Sequence, residues 1–188
     1  YKKALEELAI LIADESTPEA AFQNHLSKHP WMFGSEYSEL LSKRSWTRDD
    51  NLDYMLRRTV DNFLEIIEIK TALREPLFRY DNSHDSYYSS SKLSTVIGQV
   101  MRYIEEVERN RDQIISKDDE DTLKIRARVI VGRDGDDKHQ KALRSLNGHL
   151  NRIEVITFDQ LYRIADRVLT VFICRKPVVD FDADEIPF

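Results

Sequence analysis

Two short β-runs stand back to back near the middle of the chain, Asp53-Tyr54-Met55-Leu56 and Phe63-Leu64-Glu65-Ile66-Ile67-Glu68-Ile69-Lys70, with Thr59-Val60-Asp61-Asn62 between them. Apolar and β-branched residues on either side of turn chemistry predict an antiparallel hairpin. A hairpin constrains the fold strongly, because side chains alternate with a period of two and a slip of one residue would turn every side chain to the other face. A two-residue turn at Val60-Asp61 sets Asp53 directly opposite Glu68; a turn at Asp61-Asn62 sets it opposite Lys70. In both registers Asp53, Glu68 and Lys70 share one face, and only a three-residue loop without a bulge breaks that arrangement.

The rest of the chain supplies helices and further strands. Leu5, Leu8, Leu11 and Ile12 recur at helical spacing, and Thr17-Pro18-Glu19 reads as an N-cap with proline at the first helical position of a helix running to about Lys28. Pro30 stops it, and Trp31, Met32 and Phe33 form an apolar plug. Residues 71–91 lack a period and are expected to be a long surface loop. Leu93, Val96, Ile97, Val100, Ile104 and Val107 give the clearest helical stripe. A strand is expected over Ile125–Val131, a helix around Gln140–Leu150, a strand at Ile153–Thr157, and a last helix capped by Asp159. That order predicts an α/β domain with a mixed β-sheet core flanked by helices. The start at Tyr1 rather than Met points to a domain cut from a longer protein, with residues 1–16 as its N-terminal helix and linker, 17–174 as the domain and 175–188 as an acidic tail.

Composition narrows the class. With 188 residues, 41% of them hydrophobic, the chain can bury a core. It lacks the run of roughly 18 apolar residues that a membrane helix needs, so a soluble protein with no membrane partner is expected. The single cysteine, Cys174, closes no intramolecular disulfide and matches no metal-ligand spacing, which fits a reducing cytoplasm and excludes zinc clusters on that count. The five histidines show no evident ligand spacing.

Facing residues on a hairpin lie about 4.5–5.5 Å apart at Cβ, so Asp53 and Glu68 would repel unless a cation lay between them. A hard divalent ion with oxygen ligands resolves the conflict, and Mg²⁺ is commonly held by one or two carboxylates plus substrate phosphate. Lys70, on the same face, can then contact an attacking water or a developing phosphate charge. The alternative is a solvated strand face with Glu68 and Lys70 partly compensated. Glu19 shares a stripe with Phe22, Leu26 and His29; it is either a site residue or a first-turn acid favoured by the helix dipole. Gln99 and Tyr103, four apart on the flank of the apolar stripe, either orient a water or phosphate or are boundary residues. Lys124, Arg126 and Arg128 alternate on one strand face, which suits a phosphate-tracking stripe or, more commonly, a charged edge that resists aggregation. Arg44, Arg48, Arg57 and Arg58 cluster about the hairpin and are candidate contacts to a nucleic-acid backbone. His84 could touch substrate but reads better as a solvated loop residue.

An acidic residue on an early helix, Asp on one hairpin strand, Glu-x-Lys on the next and Gln-x-x-x-Tyr on the following helix resemble the PD-(D/E)XK nuclease superfamily, whose fold is restriction-endonuclease-like. More narrowly, Glu19-Ala-Ala-Phe22-Gln23, His29-Pro30-Trp31-Met32-Phe33-Gly34, Asp53-Tyr54-Met55-Leu56-Arg57-Arg58, Glu65-Ile66-Ile67-Glu68-Ile69-Lys70 and Ile153-Glu154-Val155-Ile156-Thr157-Phe158-Asp159 resemble the C-terminal nuclease domain of the Shedu anti-phage defence family, over roughly residues 17–165. The resemblance implies Mg²⁺-dependent cleavage of DNA, with Mn²⁺ able to substitute. Asp53, Glu68 and the Ile69 carbonyl would bind the metal, Lys70 would assist the water, Gln99 would match the superfamily's helix glutamine, and Glu19 would match an acidic position used by some members as a further ligand. It also implies a bacterial, cytoplasmic homo-oligomer controlled by a separate N-terminal region. The superfamily's proline before the first Asp is replaced by Leu52. A repair or structure-specific nuclease on the same fold, or an inactive assembly module, are the other functions such a chain could serve.

The net charge of −6, from 28 Lys+Arg against 34 Asp+Glu, at first sight opposes a DNA partner. Residues 118–121, 134–137 and 180–185, however, hold eleven of the 34 acids and no Lys or Arg, and without them 23 acids stand against 28 bases. The acidity belongs mostly to loops and tail.

Overall fold

A computed structural model describes residues 1–41, 46, 52–72 and 75–173. In chain order these form α1 (Lys2–Ala13), α2 (Glu19–Lys28), a 3₁₀ turn (Pro30–Phe33), β1 (Tyr37–Leu40), β2 (Tyr54–Arg58), β3 (Leu64–Ile69), β4 (Phe78–Asp81), β5 (Ser86–Ser89), α3 (Ser91–Arg109), α4 (Arg111–Asp118), β6 (Arg126–Ile130), α5 (Asp137–His149), β7 (Ile153–Ile156) and α6 (Phe158–Ile173). The main sheet has the order β1-β2-β3-β6-β7. β1, β2 and β3 pair antiparallel, whereas β3, β6 and β7 pair parallel. The expected mixed sheet is therefore present, with helices on both faces.

β3 occupies the centre and is buried at all six positions, which explains why its sequence is nearly continuously apolar rather than alternating. On one face Met55, Leu64, Ile66, Val129 and Val155 pack under α3 and Leu143 of α5. On the other, Tyr54, Leu56, Ile67, Ile69, Ile130 and Ile156 pack against α1, α2 and α6 through Leu8, Phe22, Leu26, Phe158 and Leu161. Met32 and Phe33 are buried in this second layer, as the plug reading expects. Among the described residues no helix is long and apolar enough to cross a membrane.

The central hairpin keeps one of the two expected registers but with a different turn. Tyr54 faces Ile67 and Met55 faces Ile66, so the next pair outward is Asp53 with Glu68. The connection is four residues, Thr59 to Asn62, closed by Arg58 N–H to the Phe63 carbonyl at 2.9 Å and Asn62 N–H to the Arg58 carbonyl at 3.1 Å. Asn62 takes the left-handed conformation, φ 58, which asparagine tolerates better than most residues. A four-residue loop preserves the parity of a two-residue one, and so the shared face survives.

Several local expectations need correction. Residues 71–91 are not a featureless loop: β4 and β5 form a second hairpin, with the Tyr80 and Tyr87 rings 5.2 Å apart. β1 and α4 were not legible in the sequence; β1 is a four-residue edge strand with a bulge, too short to show a period. Thr17 does not cap α2. Pro18 holds the cap position in extended conformation and Glu19 opens the helix. Nor does Asp159 cap α6: Thr157 Oγ1 accepts from Gln160 N–H at 3.1 Å while Gln160 Oε1 accepts from Thr157 N–H at 2.9 Å, a reciprocal capping box. Cys174, Arg44, Arg48 and the acidic tail lie outside the described residues.

Candidate active site

The site forms where the parallel strands β3 and β6 end, beside the N-terminus of α2 and the first turns of α3. Open α/β sheets place ligand crevices at the carboxyl ends of their strands. Lys70 N–H still bonds the Ile130 carbonyl at 2.9 Å, so the backbone carrying Glu68 and Lys70 is held by the sheet up to the edge of the crevice. A cleft of about 350 Å³ opens there, lined by Glu19, Lys70, Thr71, Thr95, Gln99 and Val131.

Asp53 is fixed from two sides. Its Oδ2 accepts from the Ile69 backbone N–H at 2.7 Å, and its Oδ1 accepts from the Gln23 side-chain amide at 2.7 Å. The same Gln23 amide lies 3.3 Å from Glu19 Oε1, so one glutamine on α2 bridges the two acids. Lys70 Nζ sits 2.7 Å from Glu68 Oε1 and 3.6 Å from Glu19 Oε1. Asp53, Glu68, Lys70 and Glu19 are thereby brought together, linked by Gln23. Gln23 stood inside the Glu19-to-Gln23 segment but carried no role in the sequence reading. Its one available signal was its position one turn after Glu19, on the same helix face.

Glu68 is only 1% exposed, and its Oε2 is buried with no hydrogen-bond partner. Burial, and then the Asp53 charge, push its carboxyl up to about 7 from 4.5, against the opposing pull of Lys70. Burial pulls the Lys70 ammonium down, but Glu68, Glu19 and Asp53 outweigh this and hold it above its ordinary value. A buried carboxylate oxygen without a partner, next to a second carboxylate, is a site short of positive charge. A hard cation fits that deficit, since Glu68 Oε2 is buried without a hydrogen-bond partner and such an ion takes oxygen ligands. Glu19 does not converge with Asp53 and Glu68. Among the described residues the group of three His, Cys, Asp or Glu side chains whose ligand atoms lie within 4.8 Å of one another is Glu7, His25 and His29, at a different place. The side chains that fit a metal here are Asp53 and Glu68, with Glu19 turned to Lys70 and Gln23.

Tyr103 is buried, not a solvated boundary residue, and its hydroxyl accepts from the Gln99 side-chain amide. Burial is the main cause raising its phenol above the ordinary value, and Glu68 adds to it. Gln99 faces the cleft. Arg57 and Arg58 lie four and five residues along β2 from Asp53, about 13–17 Å at 3.3 Å per residue, and the structure does not bring them to the carboxylates. Arg57 binds Glu120 at 2.7 Å and Glu39 at 3.0 Å, and Arg58 lies 3.4 Å from Asp61. Of the basic stripe along β6, Arg128 is half-buried among Glu36, Glu154 and Glu65 at 2.9, 2.9 and 3.8 Å. Its guanidinium is committed to protein carboxylates rather than exposed as a phosphate track. His84 is exposed in the β4–β5 turn, bonded to Asp81, as the solvated reading expects.

Compared with known protein families, residues 16–162 match the family described as Shedu protein SduA, C-terminal. A comparison with curated proteins finds no match.

Proposed function

Since the chain belongs to the Shedu family, matching its SduA C-terminal domain over residues 16–162, and that membership supports a role in anti-phage defence, we propose that it is a metal-dependent endonuclease that hydrolyses DNA phosphodiester bonds. The observation that carries this reading is the partnerless buried Oε2 of Glu68, beside Asp53 and beside Lys70, which itself lines the cleft.

In this reading Asp53, Glu68 and the Ile69 carbonyl hold Mg²⁺, or Mn²⁺ in its place, and Glu19 acts through Lys70 and Gln23. When bound, the metal supplies Lewis-acid polarisation of the phosphate and acidifies a water. Lys70 places an ammonium at the same spot, where it orients the attacking water and offsets charge developing on the phosphoryl oxygens. Gln23 holds Asp53 in one orientation, the part an outer partner plays at metal sites. Gln99 and Tyr103 face a phosphate from α3: because the Tyr103 oxygen accepts from Gln99, its own O–H is left to donate. Arg57 and Arg58 contact a phosphate further along the duplex, which requires DNA to displace Glu120 and Glu39 from Arg57. The chain acts as a bacterial cytoplasmic homo-oligomer under the control of a separate N-terminal region.

The test is cleavage of circular, linear, nicked and single-stranded DNA by the purified chain with Mg²⁺ and with EDTA. Cutting of circular duplex that needs the metal and is lost in Glu68→Gln, with far-UV circular dichroism unchanged, is expected. Cutting restricted to ends or branches would instead favour a repair-type nuclease. Neither cleavage nor Mg²⁺ or Mn²⁺ affinity would favour an assembly module.

A further inference from the structure

A second cluster of metal-ligating side chains lies away from the cleft, where α1 packs on α2. Glu7 comes from the middle of α1; His25 and His29 come from the end of α2, spaced i, i+4, so their side chains lie on one face. The ligand atoms of all three fall within 4.8 Å of one another. The two imidazole rings are 4.9 Å apart, and His25 Nδ1 is 3.9 Å from Glu7 Oε2.

The hydrogen bonding of His25 decides its chemistry. Its Nε2 lies 3.0 Å from the Ala4 carbonyl oxygen. A carbonyl only accepts, so Nε2 carries the proton, and in the neutral ring Nδ1 presents its lone pair toward Glu7. Burial holds the imidazole below its ordinary value, and the nearby His29 adds to that. A metal-ligating histidine characteristically donates its other ring N–H to a backbone carbonyl, fixing tautomer and ring orientation. His25 already has that arrangement. Among the other described histidines, His84 and His139 each meet an aspartate and His149 meets the Ser145 carbonyl, but none of the three belongs to a group of three ligand side chains.

We propose that Glu7, His25 and His29 form a site for a borderline divalent cation of the Zn²⁺ class, joining α1 to α2. Two imidazoles and a carboxylate suit Zn²⁺, whereas Mg²⁺ takes oxygen donors, so this site and the Asp53–Glu68 site select different ions. Three protein ligands leave a position open for water or a further donor. Lys3, 3.9 Å from the other Glu7 oxygen and largely exposed, is the competing cation and is free to swing away.

The test is calorimetric titration of ZnCl₂ into the EDTA-treated 188-residue chain carrying Asp53→Asn and Glu68→Gln, so that uptake at the cleft is removed. One equivalent of Zn²⁺ is expected, undisturbed by excess Mg²⁺, together with a rise in the thermal midpoint. His29→Gln and Glu7→Gln, both at positions that are not fully buried, should weaken binding by at least the ~10–100-fold that loss of an outer partner costs while leaving the metal-free thermal midpoint unchanged. Co²⁺ in place of Zn²⁺ should give visible absorption that is lost in His29→Gln. No Zn²⁺ uptake by the cleft variant, or uptake unaltered by His29→Gln and Glu7→Gln, would overturn the proposal.

Discussion

Glu68 carries the largest electrostatic cost at the cleft, because its carboxyl is fully buried and one of its oxygens is unmatched. Its folded value of about 7 lies above its ordinary 4.5, so between these two values the native chain holds a proton that the unfolded chain has released. This group's contribution to the stability of the metal-free protein is therefore complete below about 4.5 and lost as pH rises through about 7. Mg²⁺ needs the ionised carboxylate. Calorimetry in buffers of different ionisation heat should show Mg²⁺ binding release a proton at about pH 6 and none at about pH 8.5, and Glu68→Gln should remove the release. Gln23→Ala tests the positioning of Asp53. It should lower Mg²⁺ affinity by about 10–100-fold with little change in the urea midpoint, since Gln23 is only half-buried at the surface of α2.

Among the secondary-structure elements, α3 presents Gln99 and Tyr103 and is held at its start by Ser90, whose buried hydroxyl accepts from Leu93 N–H at 3.2 Å. Ser90→Ala should cost roughly 0.5–2 kcal/mol of stability by urea denaturation. Gly132, just beyond β6, has φ +65, and a Cβ there would meet Leu77 Cδ2 at 2.8 Å. Gly132→Ala should cost about 1–2 kcal/mol from the left-handed backbone alone, and more from the clash with Leu77. α3 was legible from its periodic apolar residues, and the central hairpin from its two β-runs, because both signals are local. The face shared by Asp53, Glu68 and Lys70 was legible for the same reason, since parity depends only on the number of residues between strands, whereas the choice of Glu68 over Lys70 as the partner of Asp53 came from the structure. β1, β4 and β5 were not legible, since four-residue strands with mixed burial offer no period to detect. The spacing of four between His25 and His29, and between Glu19 and Gln23, is local, but Glu7 and Asp53, which give those pairs their meaning, are brought to them only by the packing of separate elements.

At the scale of the whole molecule, the acids that give the net charge of −6 are partly spent on the protein's own cations. Glu120 holds Arg57, Asp121 holds Arg111 at 2.7 Å, and Asp134 holds Arg163 at 2.7 Å. On the proposed function DNA has to compete for Arg57, so Glu120→Gln should strengthen DNA binding at low salt in a fluorescence anisotropy titration, and the binding constant should fall as salt rises. No change on that substitution would remove Arg57 from the DNA surface. The proposed activity requires Asp53, Glu68 and Lys70, from two adjacent strands, to act together. The most direct measurement is the rate of plasmid cleavage at saturating Mg²⁺ by Lys70→Ala beside the unaltered chain, with folding verified by circular dichroism. Loss of cleavage in a folded Lys70→Ala protein is the predicted result; cleavage at the unaltered rate would contradict the assignment of the site.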